Sequence, residues 1–243
     1  MRVLDLCSGI GGIAQGLQQA GFEVAAFVEF DEECRHRLKQ HWPQVRQYLD
    51  VKTITAEQLE NDGITNISAI SAGFPCQPYS RGNWKREGRG DARDLSGEIV
   101  RLVSEFEPTV FIGENTEGFI DIGYDALADD LDEIGYSCEA ISIPACSVGL
   151  PTLERHVWII ATPSGQGLEG YIQKTIQNIE RLSRQLCGSD TGVGARWDLS
   201  RPRVCRGDQR ISGRVDSARL KQLGNAVDPI VPEMIGRAIM EAA

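Results

Sequence analysis

Pro75-Cys76-Gln77-Pro78 places one thiol between two prolines, just after the apolar run Ile67-Ser68-Ala69-Ile70-Ser71. That run reads as a buried strand, so Cys76 falls in a stiff loop at a strand's C-terminal end. Each proline fixes its own φ and turns the residue before it away from helical geometry. A thiol held in one direction suits a nucleophile. A cysteine standing alone is more often a small core residue, so the chemistry of this loop depends on the company it keeps.

A second cluster supplies a binding turn. Asp5-Leu6-Cys7-Ser8-Gly9-Ile10-Gly11-Gly12 follows a strand and opens a helix. Glycines there let a ligand approach the backbone, and the helix N-terminus offers unpaired N–H groups. Glu29 ends the next strand, where a carboxylate can take ribose hydroxyls. Gly9-x-Gly11-x-x-Ala14 with Glu29 also fits a nicotinamide fingerprint, so by itself the motif says only that the cofactor contains adenosine. Asp5 in the strand, the early Ser8-Gly9 and a third carboxylate, Asp50, lean away from a dinucleotide. They suit a cationic sulfonium cofactor without a pyrophosphate.

The elements that must position these residues alternate. Strands are expected at Arg2–Leu6, Glu23–Glu29, Val45–Tyr48, Ile67–Ser71 and Thr109–Gly113. Helices are expected at Ile10–Ala20, from Asp31 as N-cap to His41, at Leu95–Phe106 and at Tyr124–Ile134. Glu139–Ile143 and His156–Ala161 read as an antiparallel edge pair. This is an α/β chain with a doubly wound, mostly parallel sheet. After Thr162-Pro163 the character shifts to Gly, Ser, Gln and Arg around one amphipathic helix, roughly Tyr171–Leu186. The expected division is a catalytic and cofactor-binding domain over 1–162, a short target-recognition lobe over 163–201, and a segment over 202–243 that returns to the catalytic domain through a helix at Pro229–Ala242.

Composition narrows the function classes. With 25 basic against 35 acidic residues the formal charge is −10, which excludes a wholesale basic DNA-coating protein but not a local basic cleft at Arg81–Arg93 or Arg196–Lys221. The seven cysteines show no C-x-x-C spacing, so neither a zinc site nor a disulfide framework is expected. Reduced thiols fit a cytoplasmic protein. Asp5 interrupts the N-terminal apolar run, arguing against a signal peptide, and no stretch approaches the roughly 18 apolar residues of a membrane span.

Further motifs carry a resemblance. Glu114-Asn115 falls at the end of the fifth strand, and Leu223-Gly224-Asn225-Ala226-Val227 lies near the C-terminus. In this order with Pro75-Cys76-Gln77, the chain resembles the DNA (cytosine-5)-methyltransferase family from residue 1 to about 240, apart from 163–201, in a compact form like that of phages and prophages. The resemblance implies the Rossmann-like fold of S-adenosylmethionine-dependent methyltransferases. It also implies attack of Cys76 on C6 of a cytosine flipped out of duplex DNA, which turns C5 into a nucleophile toward the methyl group. Glu114 would protonate or hydrogen-bond N3 and the exocyclic amine, and Asn115 would hold the Cys76 loop. S-adenosylmethionine would meet Asp5, Leu6, Cys7, Ser8, Gly9, Ile10, Gly11, Gly12, Glu29, Phe30, Asp50, Val51, Phe74, Pro75, Leu95, Asn225, Ala226 and Val227. Asp91 and Arg93 match a D-x-R element that braces the loop. Gln77, Ser80, Arg81, Arg196 and Arg203 are the expected DNA contacts, with Arg181, Arg184, Arg201 and Arg206 as further candidates. A monomer without a metal is implied, with a cognate restriction endonuclease as a candidate partner.

The chain departs from the family at one place. The usual Gln-x-Arg-x-Arg element is replaced by Thr152-Leu153-Glu154-Arg155-His156. Arg155 is offset by one residue, which on a strand reverses the side chain. Either His156 takes over part of the pocket or Arg155 does so through a bulge. A tRNA cytosine-5 methyltransferase of the same fold, a catalytically degenerate homologue and, more distantly, a nicotinamide dehydrogenase are the rival readings. With so short a recognition lobe, and each base pair worth roughly 1–3 kcal/mol of discrimination, a short or relaxed recognition site is expected.

Overall fold

The structure is a computed structural model that describes residues 1–75, 93–150, 154–187 and 227–242, without the side chains of 182–187. Cys76, Gln77, Ser80, Arg81, Asp91, Thr152, Arg196, Arg203, Asn225 and Ala226 therefore lie outside the described residues, as do Arg201, Arg206 and the side chain of Arg184.

Seven strands form one sheet: β1 (Arg2–Leu6), β2 (Glu23–Val28), β3 (Arg46–Tyr48), β4 (Ala69–Gly73), β5 (Val110–Thr116), β6 (Tyr136–Pro144) and β7 (Arg155–Pro163). Their order is β3-β2-β1-β4-β5-β7-β6. The first five run parallel. β7 is inserted antiparallel between β5 and β6. The expected antiparallel pair is thus present, with β6 alone at the edge. The order reverses between β1 and β4, and open α/β sheets bind ligands in the crevice outside the strand ends at such a switch point.

Successive residues of the central strands alternate between two cores, one on each face of the sheet, so both faces are apolar. Leu4, Leu6, Ile70, Phe111, Val157 and Ile159 face one core. It is closed by α3 (Ala56–Asn61), α4 (Ser96–Phe106), α5 (Gly118–Ile122) and α6 (Tyr124–Glu133). Val3, Phe27, Ala69, Ile112, Trp158 and Ile160 face the other. That face is covered by α1 (Gly12–Gln19), α2 (Glu32–His41), α7 (Leu168–Cys187) and α8 (Ile230–Ala242). Asp31 caps α2 as expected, accepting from the backbone N–H groups of Glu33 at 3.0 Å and Cys34 at 3.2 Å.

Three departures from the expected elements matter for the site. β4 starts and ends two residues later than the apolar run suggested, so the Cys76 loop leaves the sheet immediately after Gly73. β5 continues past Gly113 because β7 keeps pairing with it, Asn115 against Val157 and Thr116 against His156. Glu114 and Asn115 are therefore inside a strand. The segment expected to open a recognition lobe instead begins with α7, whose Tyr171 and Ile172 are buried in the same core as α1 and α8. That part of 163–201 packs on the core shared with α1 and α8, and 188–201 falls outside the described residues.

α1 and α8 approach closely through glycines. A Cβ on Gly16 would stand 2.3 Å from the Pro229 carbonyl oxygen, and one on Gly236 would stand 2.7 Å from Cβ of Ala20. At the start of α1, a Cβ on Gly12 would lie 2.0 Å from the Val227 carbonyl oxygen. Val227 thereby rests on the first turn of α1.

Candidate active site

Strand alternation sets a row of polar residues across the otherwise apolar α1 face: Asp5 on β1, Ser71 and then Gly73 on β4, Glu114 on β5, His156 on β7. The registers Asp5 to Ser71, Gly73 to Glu114 and Thr116 to His156 build this row. Gly73 is its hinge. A Cβ there would meet Ile13 Cδ1 of α1 at 3.3 Å, Glu114 Oε2 at 3.5 Å and the Cys7 carbonyl oxygen at 3.9 Å. The glycine turn and the Glu114 carboxylate thus meet around Gly73, two residues before the described chain breaks off ahead of Cys76.

Glu114 is buried, and its Oε1 bonds Nδ1 of His156. The two side chains are diagonal cross-strand neighbours on one face, the spacing at which long side chains reach each other. Hydrogen bonding to the Glu114 carboxylate, aided by its charge and that of Glu154, raises the His156 titration above the ordinary imidazole value against the opposing effect of burial. β7 pairs without a break from Arg155 to Pro163, so Arg155 projects from the opposite face and is exposed. No bulge returns it to the row. Asn115 also points to the other face, fully enclosed. Its Oδ1 accepts the Thr116 N–H at 2.8 Å, while Nδ2 has no acceptor among the described residues. Phe74 is buried on that side, edge-on to Phe119 with ring centroids 5.2 Å apart.

The glycine turn is stapled to the end of β2. Glu29 accepts the Gly9 N–H at 2.6 Å and the Asp31 N–H at 2.7 Å. Gly11, the N-cap of α1, has φ 92° and no side chain caps the helix, leaving its first N–H groups available. Gly9, at φ 54°, has open space where a Cβ would be. Phe30 is 71% exposed beside Glu29. Asp50 follows β3, its Oδ1 accepting the Lys52 N–H at 3.0 Å. Asp5 is fully buried; Ser71 Oγ donates to its Oδ1 at 2.5 Å, and Oδ2 has no partner among the described residues. Burial, opposed by hydrogen bonds from Ser71 and Ser8, pushes the Asp5 carboxyl up to about 7. Burial also pushes the Cys7 thiol far above its ordinary range, which disfavours its thiolate at neutral pH.

This is a cradle of carboxylates around an uncapped helix end, with an exposed aromatic ring. Neither Lys nor Arg occurs between Asp5 and Gly12. It fits an adenosine cofactor that carries positive rather than phosphate charge, and S-adenosylmethionine has that character. Leu6 ends β1 and Ile10 lies in the turn; Val51 follows Asp50, Leu95 is the N-cap of α4, and Val227 rests on Gly12.

Two positioning residues were not apparent from sequence. Arg35 on α2 donates to the carbonyls of Glu29 at 2.9 Å and Phe30 at 2.6 Å. Arg101 on α4 donates to those of Val51 at 2.9 Å and Ile54 at 3.1 Å, and is itself held by Glu98 and Glu105. The Glu98-Arg101-Glu105 spacing is a helix-face signal, but nothing in it tells that the guanidinium also grips the loop after β3.

The strand order, the glycine turn at the switch point and the polar row define a Rossmann-like methyltransferase domain. Residues 1–189 match the C-5 cytosine-specific DNA methylase family, and the chain belongs to it. Among its relatives, the Type II methyltransferase M.AgeI of Thalassovita gelatinovora is 27% identical over 178 residues, covering 70% of this chain and 41% of the relative. M.CviJI of Paramecium bursaria Chlorella virus IL3A is 30% identical over 158 residues, covering 65% and 41%. A candidate DNA modification methyltransferase encoded within an E. coli prophage has a similar structure, with TM-score 0.57 and 28% identity over 67% of this chain and 47% of its own. A DNMT2 of Spodoptera frugiperda shares the fold at TM-score 0.56 and 22% identity, covering 68% of this chain and 50% of its own. The chain spans about half the length of the curated relatives it matches.

Proposed function

We propose that the chain transfers a methyl group from S-adenosylmethionine to C5 of a cytosine flipped out of duplex DNA. The observation that carries this reading is the junction at Gly73, where the cofactor turn, the Glu114 carboxyl and the start of the Cys76 loop converge in a family whose Pro-Cys-Gln and Glu-Asn motifs the chain retains. When bound, S-adenosylmethionine supplies an electrophilic methyl group on a sulfonium. Asp5, the Cys7–Gly12 turn, Glu29, Phe30 and Asp50 would hold it, with Asn225-Ala226-Val227 closing over it.

The chain's own residues then divide the work. The Cys76 thiolate adds to C6 of the base, forming the S–C6 bond and moving an electron pair toward N3. Glu114 in its protonated form would donate to N3 with one oxygen and accept from the exocyclic amine with the other, so the charge that develops at N3 meets a fixed group. Asn115, enclosed on the far face of β5, would hold the loop that carries Cys76. C5 of the adduct would take the methyl group, the S–CH3 bond breaking with its electron pair left on sulfur, and loss of the C5 proton to a base with departure of the thiolate then restores the aromatic ring. Gln77, Ser80, Arg81, Arg196 and Arg203 are proposed contacts to DNA, and a cognate endonuclease is a proposed partner.

The test is covalent trapping. Duplex DNA containing 5-fluorocytosine, with S-adenosylmethionine, should give a denaturation-resistant adduct with the wild type and none with Cys76→Ala. No adduct from wild-type protein on any sequence would refute the reading. A radiolabelled methyl-transfer assay on duplex DNA against tRNA decides between the two nucleic acids.

A further inference from the structure

The two oxygens of Glu114 have different surroundings. Oε1 bonds Nδ1 of His156. Oε2 lies at the Gly73 junction, where a Cβ would come within 3.5 Å of it. The Glu114 side chain is only 10% exposed, whereas that of His156 is 34% exposed. For Glu114 to act as an acid toward N3, the oxygen at the junction must carry a proton. A carboxyl beside a permanent cation ionises in the acid range, and its acid form then thins about tenfold with each further pH unit. An arginine would be such a cation. A histidine differs because it can give up its charge.

We propose that Glu114 and His156 form a one-proton pair, in which His156 holds on Nε2 the proton that Glu114 needs on Oε2. Two arrangements of the pair contain the same number of protons. In one, a carboxylate accepts Nδ1–H from an imidazolium that also carries Nε2–H. In the other, the carboxyl carries Oε2–H, and a neutral imidazole with its proton on Nδ1 still donates to Oε1. The Nδ1–Oε1 bond is made in both, so the exchange breaks no contact of the pair. Nε2 releases a proton to solvent and Oε2 takes one up. Because the proton count is unchanged, the share of the Oε2–H acid does not vary with pH while the pair holds one proton. His156 is thus a positioning residue that acts through Glu114.

The charged groups that act on His156 among the described residues are Glu114 on β5 and Glu154, two residues before it. Its cross-strand partners Thr116 and Ile143, and Trp158 opposite Glu114, carry no charge. Nor does any residue of α1, which covers this face. Arg155 projects from the other face. The bond to Glu114, then the charges of Glu114 and Glu154, favour the imidazolium against burial. They extend the one-proton range upward until the pH passes the raised His156 value.

This inference rests on the methyltransferase reading, and one experiment separates the two. Adduct formation on 5-fluorocytosine duplex DNA with S-adenosylmethionine is timed from about pH 5 to 9 for the wild type, His156→Arg and His156→Lys. Both variants place a permanent cation beside Glu114, and the second serves if the first does not fold. The ratio of wild-type to variant rate cancels the ionisation of Cys76 and reads the Glu114 acid. It should rise about tenfold per pH unit between two limits and stay level outside them. The lower limit is the His156 titration measured by NMR in Glu114→Gln, where the pair is gone. The upper limit is the same titration in the wild type. A ratio that is constant across the range, a rise that does not begin and end at the two NMR values, or identical NMR values in the two proteins would overturn the pair while leaving the adduct chemistry intact. No adduct from the wild type at any pH would overturn both.

Discussion

Asp5 supplies the most quantitative test of the cofactor cradle. In the unfolded chain its carboxyl titrates near 3.8; in the folded protein burial pushes it up to about 7. Between those values the native carboxyl keeps a proton that the unfolded one has released. The stability carried by the neutral carboxyl is therefore complete below pH 3.8 and is lost as the pH rises to 7. At 1.36 kcal/mol per pH unit over that interval, the loss is about 4 kcal/mol. Asp5→Asn removes the titration. It also places an amide N–H₂ where Oδ2 now has no partner, at a cost of about 1–3 kcal/mol that does not vary with pH. Urea unfolding of the wild type and the variant at pH 4 and pH 8 isolates the first effect, because the second cancels in the difference. The stability gap should move by about 4 kcal/mol in favour of the variant between the two pH values, leaving it the more stable protein at pH 8. The same gap at both values would refute the claim that Asp5 is buried at an energetic cost. A variant that gains stability and loses affinity for S-adenosylhomocysteine would indicate that the buried acid is kept for the ligand.

Gly16→Ala should destabilise the fold by about 1–3 kcal/mol, seen as a lower thermal midpoint, because its Cβ meets backbone atoms at the start of α8. Gly12→Ala should weaken S-adenosylhomocysteine binding in calorimetry by more than tenfold, through displacement of Val227 from the first turn of α1. Arg101→Gln should likewise weaken that binding, by freeing the Val51 and Ile54 carbonyls and with them the loop that carries Asp50, while Arg101→Lys should restore part of it. Tyr136→Phe should cost about 1–3 kcal/mol in urea unfolding, since the Tyr136 hydroxyl donates to the buried Pro108 carbonyl at 2.7 Å.

Local signals told most of the fold. Asp31 before Glu33 and Cys34 is a helix start whose cap is complete within four residues, and the glycines ending the early helices act over equally short range. The Asp5–Gly12 turn and its neighbour Glu29 could be read as one candidate binding turn because strand, turn and helix are consecutive. What escaped required partners distant in sequence. β5 runs past Gly113 only because β7, some forty residues on, continues the ladder. The same pairing decides that His156 and not Arg155 stands beside Glu114, a choice that the sequence alone left open. The amphipathic helix at Tyr171 was legible as a helix, yet its apolar stripe does not say which core receives it. Glu29 was expected to face a ribose; what the structure shows is that its two oxygens hold the Gly9 and Asp31 N–H groups, which depends on a turn geometry that no spacing reveals.

The contact between α1 and α8 has a consequence for how the protein comes into being. These helices lie at opposite ends of the sequence, and their glycines leave no room between them. On a ribosome, the first turn of α1 is made before α2 to α7 but can receive Val227 only after all of those elements have emerged. Contacts of such long sequence separation form late and slowly. The nascent chain must therefore carry an uncovered apolar patch of Leu17, Ala20 and Phe22, the side chains that Gly236 of α8 approaches, until α8 follows, a natural target for a holding chaperone. A chain truncated before α8 would keep that patch exposed.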